Sequence, residues 1–179
     1  MDQSSITAII IAVVLLLGAA FAFAMFRRRR SEDLKRRFGT EYDRTVATQG
    51  DRAKAEADLL ARTARVEKLD IHPLAPNDRD RFVDRWRATQ ASFVDNPVGA
   101  VAQASALVDE VMRARGYPVA EFERRAADIS VDHPRFVENY REAHAIALAA
   151  QRGTARTEDL RRATVHYRDL FEDLLDTAA

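Results

Sequence analysis

The sequence predicts an all-α protein: one N-terminal transmembrane helix followed by a compact bundle of about six or seven helices. Three observations carry this. Ile6 to Phe26 runs 21 residues without a charged side chain. Beyond it, apolar residues recur at helical spacing between capping residues. No alternating β-branched stretch and no Asn-Gly or Asp-Gly hairpin turn interrupts them.

The apolar run comes first. A 21-residue helix is about 31 Å long at ~1.5 Å per residue, close to the ~30 Å hydrocarbon core of a bilayer. Residues 1–5 form a short tail, residues 6–26 the expected span, residues 27–37 a basic juxtamembrane segment, and residues 31–179 the soluble helical domain. A cleaved leader fits less well. The tail Met1–Ser5 has no Lys or Arg, the apolar run is long, and the basic cluster lies on its far side, although Ala22-Phe23-Ala24 has small residues at a cleavage-site interval.

Arg27, Arg28, Arg29, Arg30, Lys35, Arg36 and Arg37 follow the run and no basic residue precedes it. Positive charge stays cytoplasmic, so the expected topology in a cytoplasmic (inner) membrane is a short outer N-terminus and a cytoplasmic bundle. The same seven side chains are candidates for contact with anionic lipid headgroups, at about 1 kcal/mol each. Small residues four apart, Gly18 with Ala22 and Ala20 with Ala24, permit close helix approach. An alanine-rich segment produces such pairs by chance, so homo-oligomerisation is allowed but not required.

The remaining elements follow in order. Ser31, with Glu32 and Asp33 behind it, reads as a helix start. Leu34, Phe38, Tyr42 and Val46 recur every four residues, a stripe that drifts around the helix and therefore makes no heptad seam. Gly39-Thr40 and Gly50-Asp51 are stop-start signals, so residues 31–69 read as two or three helical pieces. Leu69–Asp78 is a connector whose prolines bias His72 and Ala75 away from helix. Asn77 is the expected cap of a helix carrying Phe82, Trp86 and Phe93; Asp95 or Asn96 caps the next, with Pro97 in its first turn. That helix buries Val101, Ala104, Val108 and Val111 or Met112 and closes at Gly116. A short helix is expected over 118–127, a loop over Asp128–Pro134 with Asp132 capping, and a helix from Pro134 to Gln151. Phe136, Tyr140, Ala143 or His144, and Ala147 form the inner stripe of that helix. Thr157 caps the last helix, with Leu160, Ala163, Tyr167, Leu170 or Phe171, and Leu174 inward.

Composition bounds function. The chain has 28 basic and 28 acidic residues; setting aside Asp2 and Arg27 to Arg30 leaves a body with 24 basic and 27 acidic ones. Such a body is no general nucleic-acid binder, which needs a basic footprint. The absence of cysteine excludes disulfides and thiolate chemistry. There is no G-x-G-x-x-G, G-x-x-x-x-G-K, H-E-x-x-H or G-x-S-x-G. No catalytic, cofactor or metal residues are assigned, because no glutamate lies three residues before His144 or His166, as a di-iron bundle needs. The densest polar variety lies between Asp128 and His144, where Asp128, Asp132, His133, Tyr140 and His144 are the best local candidates for a site. General acid–base work would need two of them to converge on a pocket.

The blocks "RRFGTEYDRTV", "EKLDIHPL", "RWRATQASFVDNPVGAV", "VMRARGYPVAEFERRAADISVDHP" and "TEDLRRATVHYRDLF" together resemble an uncharacterised family of bacterial, actinobacterial-type proteins. The family's members often carry an N-terminal hydrophobic segment, and some are labelled secreted. The resemblance implies one coherent domain over nearly all of the soluble part. It implies no activity and no site residues. The functional expectation is therefore a single-pass membrane-anchored protein–protein interaction or scaffold module, in contact with membrane lipid and a protein partner. Two alternatives stand beside it: a small-ligand protein or enzyme using Asp128–His144, and an extracytoplasmic envelope domain.

Overall fold

The computed structural model describes residues 3–118 and 120–176, with the side chains of residues 3–14 outside the description. Eight helices occupy the described residues: α1 (Gln3–Phe38), α2 (Thr40–Gln49), α3 (Arg52–Val66), α4 (Pro76–Ser92), α5 (Pro97–Ala114), α6 (Phe122–Asp132), α7 (Val137–Gln151) and α8 (Thr157–Asp176). The all-α class is as expected.

Ser31 starts nothing. α1 runs unbroken for 36 residues, from the apolar run through the arginines to Phe38. Neither Gly nor Pro separates Phe26 from Ser31, so no residue in that stretch terminates the helix. Instead the Ser31 hydroxyl donates to Glu56 Oε1 at 2.6 Å, tying α1 to α3. Gly39, at φ 53°, turns the chain into α2, and Gly50 closes α2 in the left-handed region with its N–H on Val46 O. Asp51 Oδ1 then accepts from Lys54 N at 2.8 Å and caps α3.

Two helix starts behave differently from each other. Asn96 Oδ1 accepts from Gly99 N at 2.9 Å and Pro97 takes the first turn of α5, as the sequence suggests. α4, in contrast, begins one residue before Asn77. Pro76 takes the first turn and Ala75 holds the cap position with no side-chain bond. Proline's fixed φ and missing N–H suit that first turn, which removes the need for an Asn77 cap.

The expected loop over Asp128–Pro134 is largely helix. α6 continues to Asp132, burying Ala126, Asp128, Ile129, Ser130 and Val131. Asp132 accordingly ends α6 rather than capping α7, and Phe136 stands at the α7 cap position without a side-chain bond. Asp and Ser are weak helix formers in isolation. Here tertiary burial overrides that preference.

The helices build two adjoining cores. The larger, in α4–α8, is centred on Trp86 stacked on Phe171 at 4.7 Å and on Tyr140, Tyr167, Leu170 and Val108. The smaller gathers Leu34, Phe38, Tyr42, Leu59 and Val66 from α1–α3, closed by Val131 of α6. Leu69 and Ile71 of the α3–α4 connector pack against both.

Ions stitch the seam between the cores. Glu41 of α2, whose side chain is 1 % exposed, accepts from Arg62 Nη1 of α3 at 2.7 Å and from Arg141 Nη2 of α7 at 2.9 Å. Arg62 also pairs with Asp58, and Arg141 with Glu123. Nearby, Arg65 of α3 donates Nε and Nη2 to Oδ1 of buried Asp128 on α6, at 2.8 and 2.5 Å. Removing Glu41 would leave the largely buried Arg62 and Arg141 only their outer carboxylate partners, Asp58 and Glu123, and would break the link between α3 and α7. Glu41→Ala should therefore lower unfolding free energy by about 3 kcal/mol in urea titration. A loss below ~1 kcal/mol, the range of an exposed pair, would show that the clamp does not hold the seam.

Candidate functional site

The seam opens on one side into a cleft of ≈ 480 Å³. Its apolar walls are Val66 at the end of α3, Leu69 and Ile71 of the connector, and Val131 of α6. Its polar lining is Arg37 of α1, Glu67, Arg115 and Tyr117 of the α5–α6 connector, Asp132 and His133.

Backbone chemistry places Arg115 there. α5 ends at Ala114, and Gly116 follows Arg115 at φ 97°, a conformation that side-chain-bearing residues rarely adopt. A Cβ on Gly116 would also lie 2.1 Å from Asp70 O, so the connectors can approach closely only over glycine. The approach is sealed by His72 N donating to Arg115 O at 3.0 Å. Arg115 is thereby carried inward and is 1 % exposed. Its Nη1 donates to Leu174 O of α8 at 2.8 Å, while its Nε is buried without a protein acceptor. No carboxylate among the described residues forms an ion pair with this guanidinium.

Around it lie two hydrogen-bonded pairs. Tyr117 donates its hydroxyl to Asp132 Oδ2 at 2.9 Å. Burial, and secondarily the Asp132 charge, push the Tyr117 phenol well above the ordinary tyrosine range. His133, 3 % exposed, is bonded through Nδ1 to Asp173 of α8, and its Nε2 is buried with no protein partner.

Of the five polar candidates from the Asp128–His144 stretch, only Asp132 and His133 line this cleft. Asp128 is occupied by Arg65. Tyr140 is buried in the larger core, its hydroxyl donating to Asp109 Oδ1 at 3.2 Å. His144 faces elsewhere, stacked on Phe122 at 3.6 Å and lining a small ≈ 130 Å³ groove between α5 and α7. The reason is helical geometry: Asp128 and His133 belong to α6 and its end, whereas Tyr140 and His144, one turn apart on α7, both pack on Phe122 away from the cleft. His133, expected as an ordinary turn residue, is instead deeply buried as the C-cap of α6. His72 keeps the turn role, its Nδ1 2.9 Å from Asp70 O at the surface. Sequence reasoning missed Arg115 and Tyr117. The only signal available was Gly116 beside them.

The basic segment is exposed as a cation-rich turn of α1. Arg28 pairs with Glu32, Arg36 with Asp33 and Lys35 with Asp43. Arg29 and Arg30 point to solvent, and Arg37 reaches the cleft. Arg27, Arg28, Lys35 and Arg52 share a second groove with Glu32 and Asp43. No group of metal-ligating side chains occurs among the described residues.

The chain matches no family model, no curated protein and no solved structure.

One titration follows from the geometry. Burial, with Arg125 adding to it, lowers the His144 pKa, so the folded state favours the neutral ring. A depressed histidine contributes stability that is present above its unfolded value of ~6.5 and is lost as pH falls through the lower folded value. NMR titration should place the His144 midpoint below ~6.5, and His144→Phe should flatten the acid side of the stability profile. A midpoint at or above that value would contradict the packing against Phe122.

Proposed function

We propose that this protein is a single-pass membrane-anchored helical module, its bundle on the cytoplasmic side and engaged with a protein partner. The observation that carries the reading is the course of α1. Its described apolar stretch bears Leu15, Leu16, Leu17, Phe21, Phe23 and Phe26, each more than 60 % exposed, and no other described element covers them. Apolar surface of that extent marks an interaction with protein or lipid. The same helix then passes through Arg27–Arg30 and buries Leu34 and Phe38 in the smaller core. Arg27 to Leu34 is about 11 Å of helix at ~1.5 Å per residue. An anchored bundle would thus stand directly on the headgroup layer, without a flexible stalk.

Among the described residues, no helix is long and apolar enough to cross a membrane. The expected span over 6–26 begins in residues 6–14, whose side chains lie outside the described residues. The orientation rests on the seven basic residues that follow the run. The non-catalytic, protein-binding role rests on the mildly acidic, motif-free body, whose surface arginines are largely paired with carboxylates, Arg81, Arg87 and Arg161 on neighbouring turns and Arg85 with Glu110 of α5.

The chain lacks cysteine, so Ala179→Cys supplies a single label site. A membrane-impermeant maleimide should label it only after lysis. Labelling of intact cells would reverse the orientation and favour an envelope role. Crosslinking in gently solubilised membranes, followed by affinity purification, should recover one reproducible protein partner. Recovery of none across repeated preparations would overturn the interaction role.

A further inference from the structure

Arg115 is a fully buried guanidinium with no carboxylate in ion-pair contact among the described residues. A guanidinium cannot shed its charge at neutral pH, and burying one without a carboxylate costs several kcal/mol. Native proteins place such groups against a counter-charge, and Arg's planar fork suits carboxylate and phosphate. The Leu174 carbonyl satisfies Nη1 but supplies no negative charge, and Nε is left without a protein acceptor. Neither of the two carboxylates lining the same cleft forms an ion pair with it. Asp132 is turned to the Tyr117 hydroxyl, and Glu67 forms no ion pair with Arg115.

A second deeply buried group lacks a partner beside it. His133 is oriented by Asp173 through Nδ1, which leaves Nε2 unbonded. Between these polar groups and the rim, Val66, Leu69, Ile71 and Val131 present apolar wall. Concave sites of about 300–1,000 Å³ with apolar walls and a few buried polar groups are typical of small-ligand binding. At ≈ 480 Å³ the cleft falls within that range.

We propose that this cleft binds a small organic anion, with its carboxylate or phosphate against Arg115 and its apolar body against Val66, Leu69, Ile71 and Val131. Arg37 closes the rim with a second positive charge. Because Arg37 belongs to α1, the bound anion touches the helix that carries the exposed apolar stretch. The site itself does not depend on a membrane location.

The test uses the full chain in detergent micelles and ¹⁹F NMR of 4-fluorophenylacetate, with 4-fluorophenylacetamide as the neutral counterpart and inorganic phosphate as competitor. Saturable binding of the acid is expected, with the amide and the Arg115→Met variant about 10- to 100-fold weaker. Without probe, Arg115→Met should melt at or above the wild-type temperature, because it removes an uncompensated buried charge. Arg37→Gln, at an exposed position, should also weaken binding; it provides the readout if Arg115→Met fails to fold. Displacement by phosphate identifies a phosphate head, and persistence of the acid against phosphate identifies a carboxylate; either supports the site. Equal binding of acid and amide would overturn the proposal. So would unchanged binding in a folded Arg115→Met, or no saturable binding of either anion by folded protein into the millimolar range.

Discussion

The fold depends on how the Glu41 carboxylate is shared. α1–α3 bury only a small set of apolar side chains among themselves, and a core that small is marginal alone. What joins it to α4–α8 is apolar contact through Val131, Leu69 and Ile71 together with two ionic contacts. Glu41 bridges Arg62 of α3 and Arg141 of α7, and Asp128 holds Arg65. Ion pairs buried this deeply recover their desolvation cost only when further hydrogen bonds satisfy their remaining sites. Asp58 and Glu123 engage the outer edges of Arg62 and Arg141, while Glu41 Oε2, Asp128 Oδ2 and Arg141 Nε stay buried without a hydrogen-bond partner. The seam's directional contacts fix one relative placement of the cores where apolar packing alone would tolerate several.

That placement determines what α1 does. A single helix serves two environments: outer turns with large apolar side chains facing away from the protein, inner turns packed by Leu34 and Phe38. No glycine or proline falls between Phe26 and Phe38, so helical hydrogen bonding continues through the charged turn. The stop comes at Gly39, after the last residue of the helix has been buried. Hence the boundary of the apolar segment and the boundary of the helix differ by a dozen positions, and the arginines are an internal stretch of a rod rather than a linker.

Much of this was legible in the sequence, for a common reason: the readable features are local. The Leu34–Phe38–Tyr42–Val46 stripe, the Asn96-Pro97 start, the Gly116 stop and the Leu160–Leu174 face of α8 each express periodicity or backbone conformation within a few residues. The failures arise where partners are distant. Asp128 sits in a stretch whose local preference is for turns, and only Arg65, 63 residues earlier, makes its burial in a helix tolerable. His133 looked like a turn residue because Asp173 lies 40 positions on. Of the polar candidates, only Asp132 and His133 reached the cleft, since a helix and a turn disperse neighbours in sequence to different faces. Arg115 resembles any arginine at a helix C-terminus until Gly116 brings Asp70 against it.

The cleft belongs where it is because of the same seam. The connectors α3–α4 and α5–α6 run alongside the junction of the two cores, with Leu69 and Ile71 packed on both. Gly116 lets these connectors meet backbone to backbone, with Asp70 O at the position a side chain would take. That contact leaves concave space beneath, walled by residues of both cores, and turns Arg115 inward where a longer or looser connector would let it reach water. Three of the lining elements are therefore those that set the register of α1–α3 on the rest of the bundle: the end of α3, the α3–α4 connector and the end of α6. A group bound between them would bear on the seam itself, and through Arg37 on α1. The buried charge thus sits where filling the cleft would also bear on the contact between the two cores.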